Sequence, residues 1–234
     1  MELSKSDVEK LRTIFSVCAI GGIESIVITQ GLVRGTNETR DAAIISETDL
    51  TIGAEYKIGL SPVQEFDKRL QLFSDANIEC KLNGMDVTLL TIGGGKSKAQ
   101  FRCMSERLMR YPKELADTPV ATITLTRSEA QQISRAAKAF KSEFVTFHIS
   151  RQGTVAVECS DVTNDKFSME LDTLAEYVED ADSYVFSYVT KRATDVMDAA
   201  TKDNETVTFV IGETGSAQAT VKGHTLIILP QTEE

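Results

Sequence analysis

Histidine is nearly missing from this chain: only His148 and His224 occur among 234 residues. That scarcity excludes a good deal of chemistry, because a Ser-His-Asp relay or a histidine-rich metal centre needs imidazoles patterned with carboxylates or thiols. His148 falls in the alternating run Val145-Thr146-Phe147-His148-Ile149, where an ordinary strand side chain on the more polar face is expected. Cysteine is scarce too. Cys18, Cys80, Cys103 and Cys159 stand singly among apolar neighbours, in no zinc-ligand spacing, as small core residues do. No run approaches the roughly 18 consecutive apolar residues of a membrane helix. Met1-Glu2-Leu3-Ser4 leads into a helix start and not a secretory leader, so a soluble, intracellular protein without membrane contact is expected.

Two apparent signatures lack their counterparts. Gly95-Lys96-Ser97 imitates the end of a phosphate-binding loop, but that motif requires glycine where Leu90 stands, and an alternating run follows instead of a helix. The acidic stretch Glu176 to Asp182 lacks the ligand spacing of a calcium loop. No catalytic residue, metal site or cofactor is expected.

What is present is pattern. Stepping 100° per residue along Thr126 to Lys141 gathers Ala130, Ile133, Ala136, Ala137 and Phe140 on one side, and Arg127, Arg135, Lys138 and Lys141 on another. Thr126 with Glu129 forms a capping box that fixes where the helix begins. The chain's opening repeats the device. Leu3-Ser4-Lys5-Ser6-Asp7 aligns with Leu125-Thr126-Arg127-Ser128-Glu129, so Lys5, Val8 and Leu11 fall opposite Arg127, Ala130 and Ile133. Val8, Leu11, Ile14, Phe15 and Cys18 make the buried stripe there, with Lys5 and Arg12 in the polar sector. The net charge of −10 argues against a nucleic-acid binder when taken as a sum. Its distribution argues otherwise, since the 126–141 segment carries four bases against the single acid Glu129.

Elsewhere the sequence is rich in strand signals. Glu24 to Gln30, Ala42 to Glu47 and Asp49 to Lys57 read as short strands. Ser61-Pro62-Val63-Gln64 reads as a helix start with Ser61 as cap, and Val63, Phe66, Leu70 and Phe73 as its buried stripe. Ala76 to Leu82, Met85 to Ile92 and Ser97 to Met104 follow as strands around an Asn83-Gly84 hairpin turn. Residues 105–120 hold two of the four prolines and read as a connector. In the second half, Ala121 to Leu125, Glu143 to Ser150, Thr154 to Ser160, Lys166 to Leu171 and Tyr184 to Val189 read as strands. Ala193 to Ala200 is a short, weak helix candidate, and Thr206 to Gly212, Ser216 to Lys222 and His224 to Leu229 are the closing strands.

Tandem β-rich halves, the LSKSDVEKL and LTRSEAQQI echo, a connector between them, and basic helix faces on an acidic chain resemble the DNA sliding clamps. The ISETDLTI strand, the helix SPVQEFDKRLQLFS and the KLNGMDVTLLT hairpin are, in their order, similar to the polymerase processivity clamp of T-even-type bacteriophages. The resemblance implies an α+β fold of tandem clamp domains, 1–110 and 121–234 joined by a connector at 111–120, with helices lining the inside of a ring. It implies no enzymatic activity, and a head-to-tail homotrimer that encircles double-stranded DNA without sequence preference. It also implies a client DNA polymerase, a separate clamp-loader ATPase, and the host cytoplasm as location if the source is a phage. On it, Lys5, Arg12, Lys68, Arg127, Arg135, Lys138, Lys141, Lys191 and Arg192 face the DNA, with Glu9 and Asp67 weakening the lining in the first half. Ala99, Phe101 and Cys103 meet Lys166, Phe167 and Met169 at the subunit contact. Met109, Tyr111, Val120, Leu229 and Pro230 form the pocket for client peptides. A β-rich oligomeric scaffold that never encircles DNA is the competing expectation.

Overall fold

The structure, a computed structural model, describes residues 2–112, 117–177 and 183–231. The chain divides into two compact units, Met1–Leu115 and Ala116–Glu234; residues 113–116 of the expected connector, and residues 178–182 of the acidic stretch, lie outside the described residues.

The first unit runs β1 (Glu2–Leu3), α1 (Lys5–Gly21), β2 (Ser25–Thr29), β3 (Leu32–Thr36), β4 (Ala42–Glu47), β5 (Ile58–Leu60), α2 (Val63–Leu70), β6 (Asn77–Asn83), β7 (Asp86–Gly94) and β8 (Ser97–Arg102), then a 3-10 turn at Glu106–Leu108. Its strands form two antiparallel ladders, β1-β6-β7-β8 and β5-β2-β3-β4. Helices α1 and α2 pack side by side. Strand alternation sends Ile26, Ile28, Ile44, Ile78, Leu90 and Ile92 inward to meet Ile14, Phe15 and Phe66, all of them buried. Phe66 stands edge-on to Phe15 at 5.6 Å and to Phe101 at 5.0 Å, a favoured aromatic geometry.

The second unit runs β9 (Pro119–Thr126), α3 (Arg127–Ala139), β10 (Phe144–Ser150), β11 (Val155–Ser160), β12 (Lys166–Glu170), β13 (Glu176–Tyr177), β14 (Ser183–Val189), α4 (Thr190–Ala200), β15 (Thr206–Gly212), β16 (Ala217–Val221) and β17 (His224–Ile228). Its ladders are β12-β11-β10-β14 and β13-β9-β15-β16-β17, and α3 packs on α4. Tyr188 is buried in the core against Phe147, and its hydroxyl is satisfied by donating to the Gly215 carbonyl at 2.7 Å.

The repeat extends to single atoms. One carboxylate oxygen of Asp7 accepts the Ser4 amide at 2.9 Å and hydroxyl at 2.6 Å, and the other accepts the Thr51 amide at 3.0 Å. In the second unit Glu129 accepts the Thr126 amide and hydroxyl, each at 2.7 Å, and the Asp172 amide at 2.9 Å. Both carboxylates are buried, and each completes a capping box worth about 1 kcal/mol. The same contact explains why Asp49 to Lys57 is not the strand its pattern suggests. Thr51 spends its amide on Asp7, Leu50 and Ile52 are buried as individual anchors, and the segment joins only a lone bridge from Lys57 to Asp86.

Three further elements differ from expectation. Helix α2 begins at Val63 without a side-chain cap, because the Ser61 hydroxyl is engaged with that of Ser25 at 2.7 Å; the Gln64 side chain donates to the Ile23 carbonyl at 2.9 Å. Strand β3 escapes the sequence pattern because Gly35 interrupts its side-chain alternation. Glycine is needed there, since a Cβ would meet the Ser25 carbonyl and the Ile26 side chain of β2. Helix α4 is longer than its weak signal, starting at Thr190, and it buries Ala193, Val196, Met197 and Ala200.

Candidate nucleic-acid interface

The helices differ in what happens to their charge. In α1, Lys5 pairs with Asp75 at 2.5 Å and Lys10 with Asp49 at 2.8 Å. Arg12 is half-buried and donates from one guanidinium nitrogen to the Leu70 and Phe73 carbonyls, at 3.2 and 2.8 Å, fixing the C-terminal end of α2. In α2, Lys68 pairs with Glu65 at 2.9 Å. In α4, Lys191 pairs with Asp195 at 2.5 Å, and Arg192 is half-buried.

Helix α3 is different. Its one carboxylate, Glu129, is turned inward by the capping box, and Ala130, Ile133, Ser134, Ala136 and Ala137 complete its buried side. Arg127 is drawn to the Asn204 carbonyl at 2.9 Å and to Glu205 at 3.3 Å. Beyond it, Arg135, Lys138 and Lys141 stand exposed. Arg135 bonds only within its own helix, to Gln131, and none of the three has a carboxylate partner among the described residues. Lys141 adopts a left-handed φ of 51° just past the helix end, where a cation also faces the negative end of the helix dipole. Gln131 and Gln132 extend the same uncharged-to-basic face. This surface has little negative charge to repel a polyanion.

Both outer sheets end in strands with an open side. Strand β8 ends the ladder β1-β6-β7-β8, and β12 ends β12-β11-β10-β14. The residues expected at these edges divide by burial. Phe101 is 4% exposed and belongs to the Phe66 cluster, so what it can offer an edge contact is its backbone. Ala99 and Cys103 are half-buried; Lys166 is exposed, while Phe167 and Met169 are half-buried, with Phe167 6.4 Å from Phe140.

The expected pocket residues also divide. Met109 packs against Gly59. Tyr111 donates its phenol to Glu106, which also pairs with Lys57, and the Arg34 guanidinium lies 4.6 Å from the Tyr111 ring centroid. Both residues therefore form part of a strap over the first unit. Burial and the negative Glu106 raise the Tyr111 pKa above its ordinary value; the Lys57 and Tyr111 hydrogen bonds lower that of Glu106. In the second unit Val120 is 1% exposed, pointing into the core by alternation along β9, and Leu229 and Pro230 are half-buried. Tyr184 and Phe186 stack at 5.5 Å, and Phe186 and Pro230 both crowd Gly215. Sequence reasoning passed over this aromatic pair, whose signal was the i, i+2 spacing on β14.

The glycine turn Gly93 to Ser97 closes the β7–β8 hairpin, and no helix follows it. A neighbouring open cavity of about 440 Å³, walled by Lys5, Asp75, Glu79, Thr91 and Lys98, brings together no nucleophile and base. Among the described residues no group of three or more His, Cys, Asp or Glu could hold a metal ion, and no helix is long and apolar enough to cross a membrane.

No family model and no curated protein matches this chain. Solved structures do. All 234 residues superpose on the DNA polymerase III subunit beta from Pseudomonas aeruginosa with a TM-score of 0.73 at 13% identity, covering 66% of that chain. PCNA from A. fulgidus, solved with the C-terminal region of FEN-1 bound, matches with a TM-score of 0.68 at 14% identity over 99% of its length. A DNA polymerase III beta subunit assignment from Eubacterium rectale matches with a TM-score of 0.70 at 16% identity. This is the sliding-clamp fold. The chain spans nearly the full length of the PCNA chain and 65% of the Eubacterium rectale one. In sliding-clamp terms each unit is one β-rich repeat carrying two helices, and α3 is the helix whose outer face is most basic.

Proposed function

We propose that this chain is a polymerase processivity clamp, assembling head to tail as a homotrimer that closes around duplex DNA. The observation that carries the reading is the set Arg135, Lys138 and Lys141, exposed on α3 without carboxylate partners among the described residues, in a chain whose net charge is −10. Turned toward the hole of a ring, such a face attracts phosphates while the acidic remainder keeps DNA from other surfaces. A few mobile cations suit sliding, because many tight phosphate contacts would hold the ring at one place, and base readout has no use here. Lys5, Lys68, Lys191 and Arg192 contribute a weaker field, since the pairs formed by Lys5, Lys68 and Lys191 reduce their net effect.

The reading makes the protein non-catalytic and gives it three partners besides itself: double-stranded DNA, a DNA polymerase, and a clamp-loader ATPase that opens the ring. The client pocket falls to Leu229 and Pro230 with the Tyr184–Phe186 pair beside them, and Met109, Tyr111 and Val120 support its surroundings. The phage branch of the clamps, and with it the host cytoplasm, follows from the order of sequence segments. Retention on DNA tests the function. Loaded protein should stay on nicked circular DNA at high salt and leave when the circle is cut once; equal retention on both would mean binding without encirclement, as a scaffold would show.

A further inference from the structure

Two strand edges of this chain carry opposite charge. Cys103 donates its amide to the Thr88 carbonyl at 3.0 Å, so by strand alternation the backbones of Lys98, Gln100 and Arg102 point away from β7. Leu171 donates to the Val155 carbonyl at 2.8 Å, which leaves the backbones of Lys166, Ser168 and Glu170 pointing away from β11. Each edge thus presents three residues' worth of unpaired amides and carbonyls, the template for strand addition.

The first edge is basic. Lys96, Lys98 and Arg102 are exposed, no acid occurs from Gly94 to Met104, and none of the three cations has an ion-pair partner among the described residues. Arg69 adds a fourth positive charge, lying 5.2 Å from the Phe101 ring centroid and 3.5 Å from the Gln100 carbonyl. The second edge is acidic. Glu158, Asp161, Asp165, Glu170 and Asp172 surround one base, Lys166, whose charge is already taken by Glu158 at 2.8 Å.

We propose that the β8 edge of one copy of this chain pairs with the β12 edge of a second copy, and that their opposite charges steer and hold that contact. The inference rests on the ring reading and adds what selects the partner edge. Two β8 edges repel each other, as do two β12 edges, so a two-fold dimer is disfavoured and only the head-to-tail contact remains. An antiparallel register centred on Gln100 opposite Ser168 sets Lys98 opposite Glu170, a cross-strand pair of opposite sign. Attraction of this kind acts at the exposed face of the sheet, so salt weakens it.

Native mass and sedimentation of the full chain, across salt and across three variants, test the proposal. The wild-type chain is expected to form trimers of the 25.7 kDa chain whose dissociation constant rises about tenfold from low to high salt. Lys98→Glu and Glu170→Lys should each weaken assembly about tenfold, while the two together in one chain restore it, because every junction then regains a matched pair. Both positions are exposed, and circular dichroism will verify that the variants remain folded. Trimers indifferent to salt and to both single reversals would overturn charge selection and leave the ring intact. A wild-type monomer at every salt concentration would overturn both readings. Long open polymers that respond to charge reversal would support the edge pairing and overturn the closed ring.

Discussion

Glu129 accepts the Asp172 amide at 2.9 Å on one carboxylate oxygen while the other holds Thr126. One buried side chain thereby ties the start of α3 to the chain that follows β12, as Asp7 ties the start of α1 to Thr51. Glu129→Gln replaces one acceptor with a donor facing donors, and is expected to lower stability by about 1–3 kcal/mol; Asp7→Asn should do the same in the first unit. Burial alone raises both pKa values, and the hydrogen bonds outweigh it, so each lies below its ordinary value of 4.5 or 3.8. A depressed carboxylate stabilises fully above its unfolded pKa, and its contribution disappears as pH falls through the folded one. Urea midpoints measured from pH 7 to pH 2 should therefore drop below about pH 4 in the wild-type chain, with a flatter acid limb in the double variant.

The capping boxes also show where sequence was sufficient. Ser4 with Asp7 and Thr126 with Glu129 are local devices, readable from four residues, and the apolar stripes behind them match the buried faces of α1 and α3. What stayed hidden depends on distant partners. Thr51 loses its place in a strand to Asp7, Ser61 loses its capping role to Ser25, and Arg12 is claimed by carbonyls 58 and 61 residues away. Helix α4 lacks a side-chain cap, so its length comes from packing against α3 and the sheets, which propensity does not register. Among the expected DNA-facing residues, charge was legible and pairing was not. The wheel put Arg127 beside Lys138, but only the fold shows Arg127 bound to Asn204.

Arg135→Ala with Lys138→Ala and Lys141→Asn should separate DNA tracking from folding. Asn is chosen at Lys141 because it tolerates the left-handed backbone there. The buried side of α3 is untouched, so thermal stability should change by less than about 0.5 kcal/mol per site. Low-salt DNA association should weaken, and the slope of log affinity against log salt should shrink by about 0.9 for each phosphate that is no longer neutralised. An unchanged slope would move the DNA surface away from α3.

The cysteines should behave as packing residues. Burial pushes the Cys18 thiol up to about 12 and Cys159 up to about 11, and both are 0% exposed. At pH 8 neither supplies an appreciable thiolate fraction, and no reagent reaches it without opening of the fold. Labelling with an aromatic disulfide should be slow in buffer and complete in denaturant, with rates at these two sites following local opening of α1 and β11. Rapid native labelling of Cys18 would contradict the packing of α1.

Arg12 supplies the sharpest contrast with Lys138, because the two occupy comparable basic sectors of their helices and differ in what they touch. The Arg12 guanidinium serves the Leu70 and Phe73 carbonyls, closing the end of α2, whereas Lys138 is exposed and without a carboxylate partner among the described residues. Removing Arg12 leaves two carbonyls without their charged donor, so Arg12→Ala should cost about 1–3 kcal/mol and speed hydrogen exchange at the C-terminal turn of α2. Lys138→Ala should cost less than about 0.5 kcal/mol while weakening DNA association and its salt dependence. Arg12→Lys retains the charge but not the two-carbonyl reach, and should recover only part of the stability. If Arg12→Ala instead leaves stability alone and matches Lys138→Ala in its effect on DNA, then its positive charge acts on phosphates, and the contact with α2 is incidental.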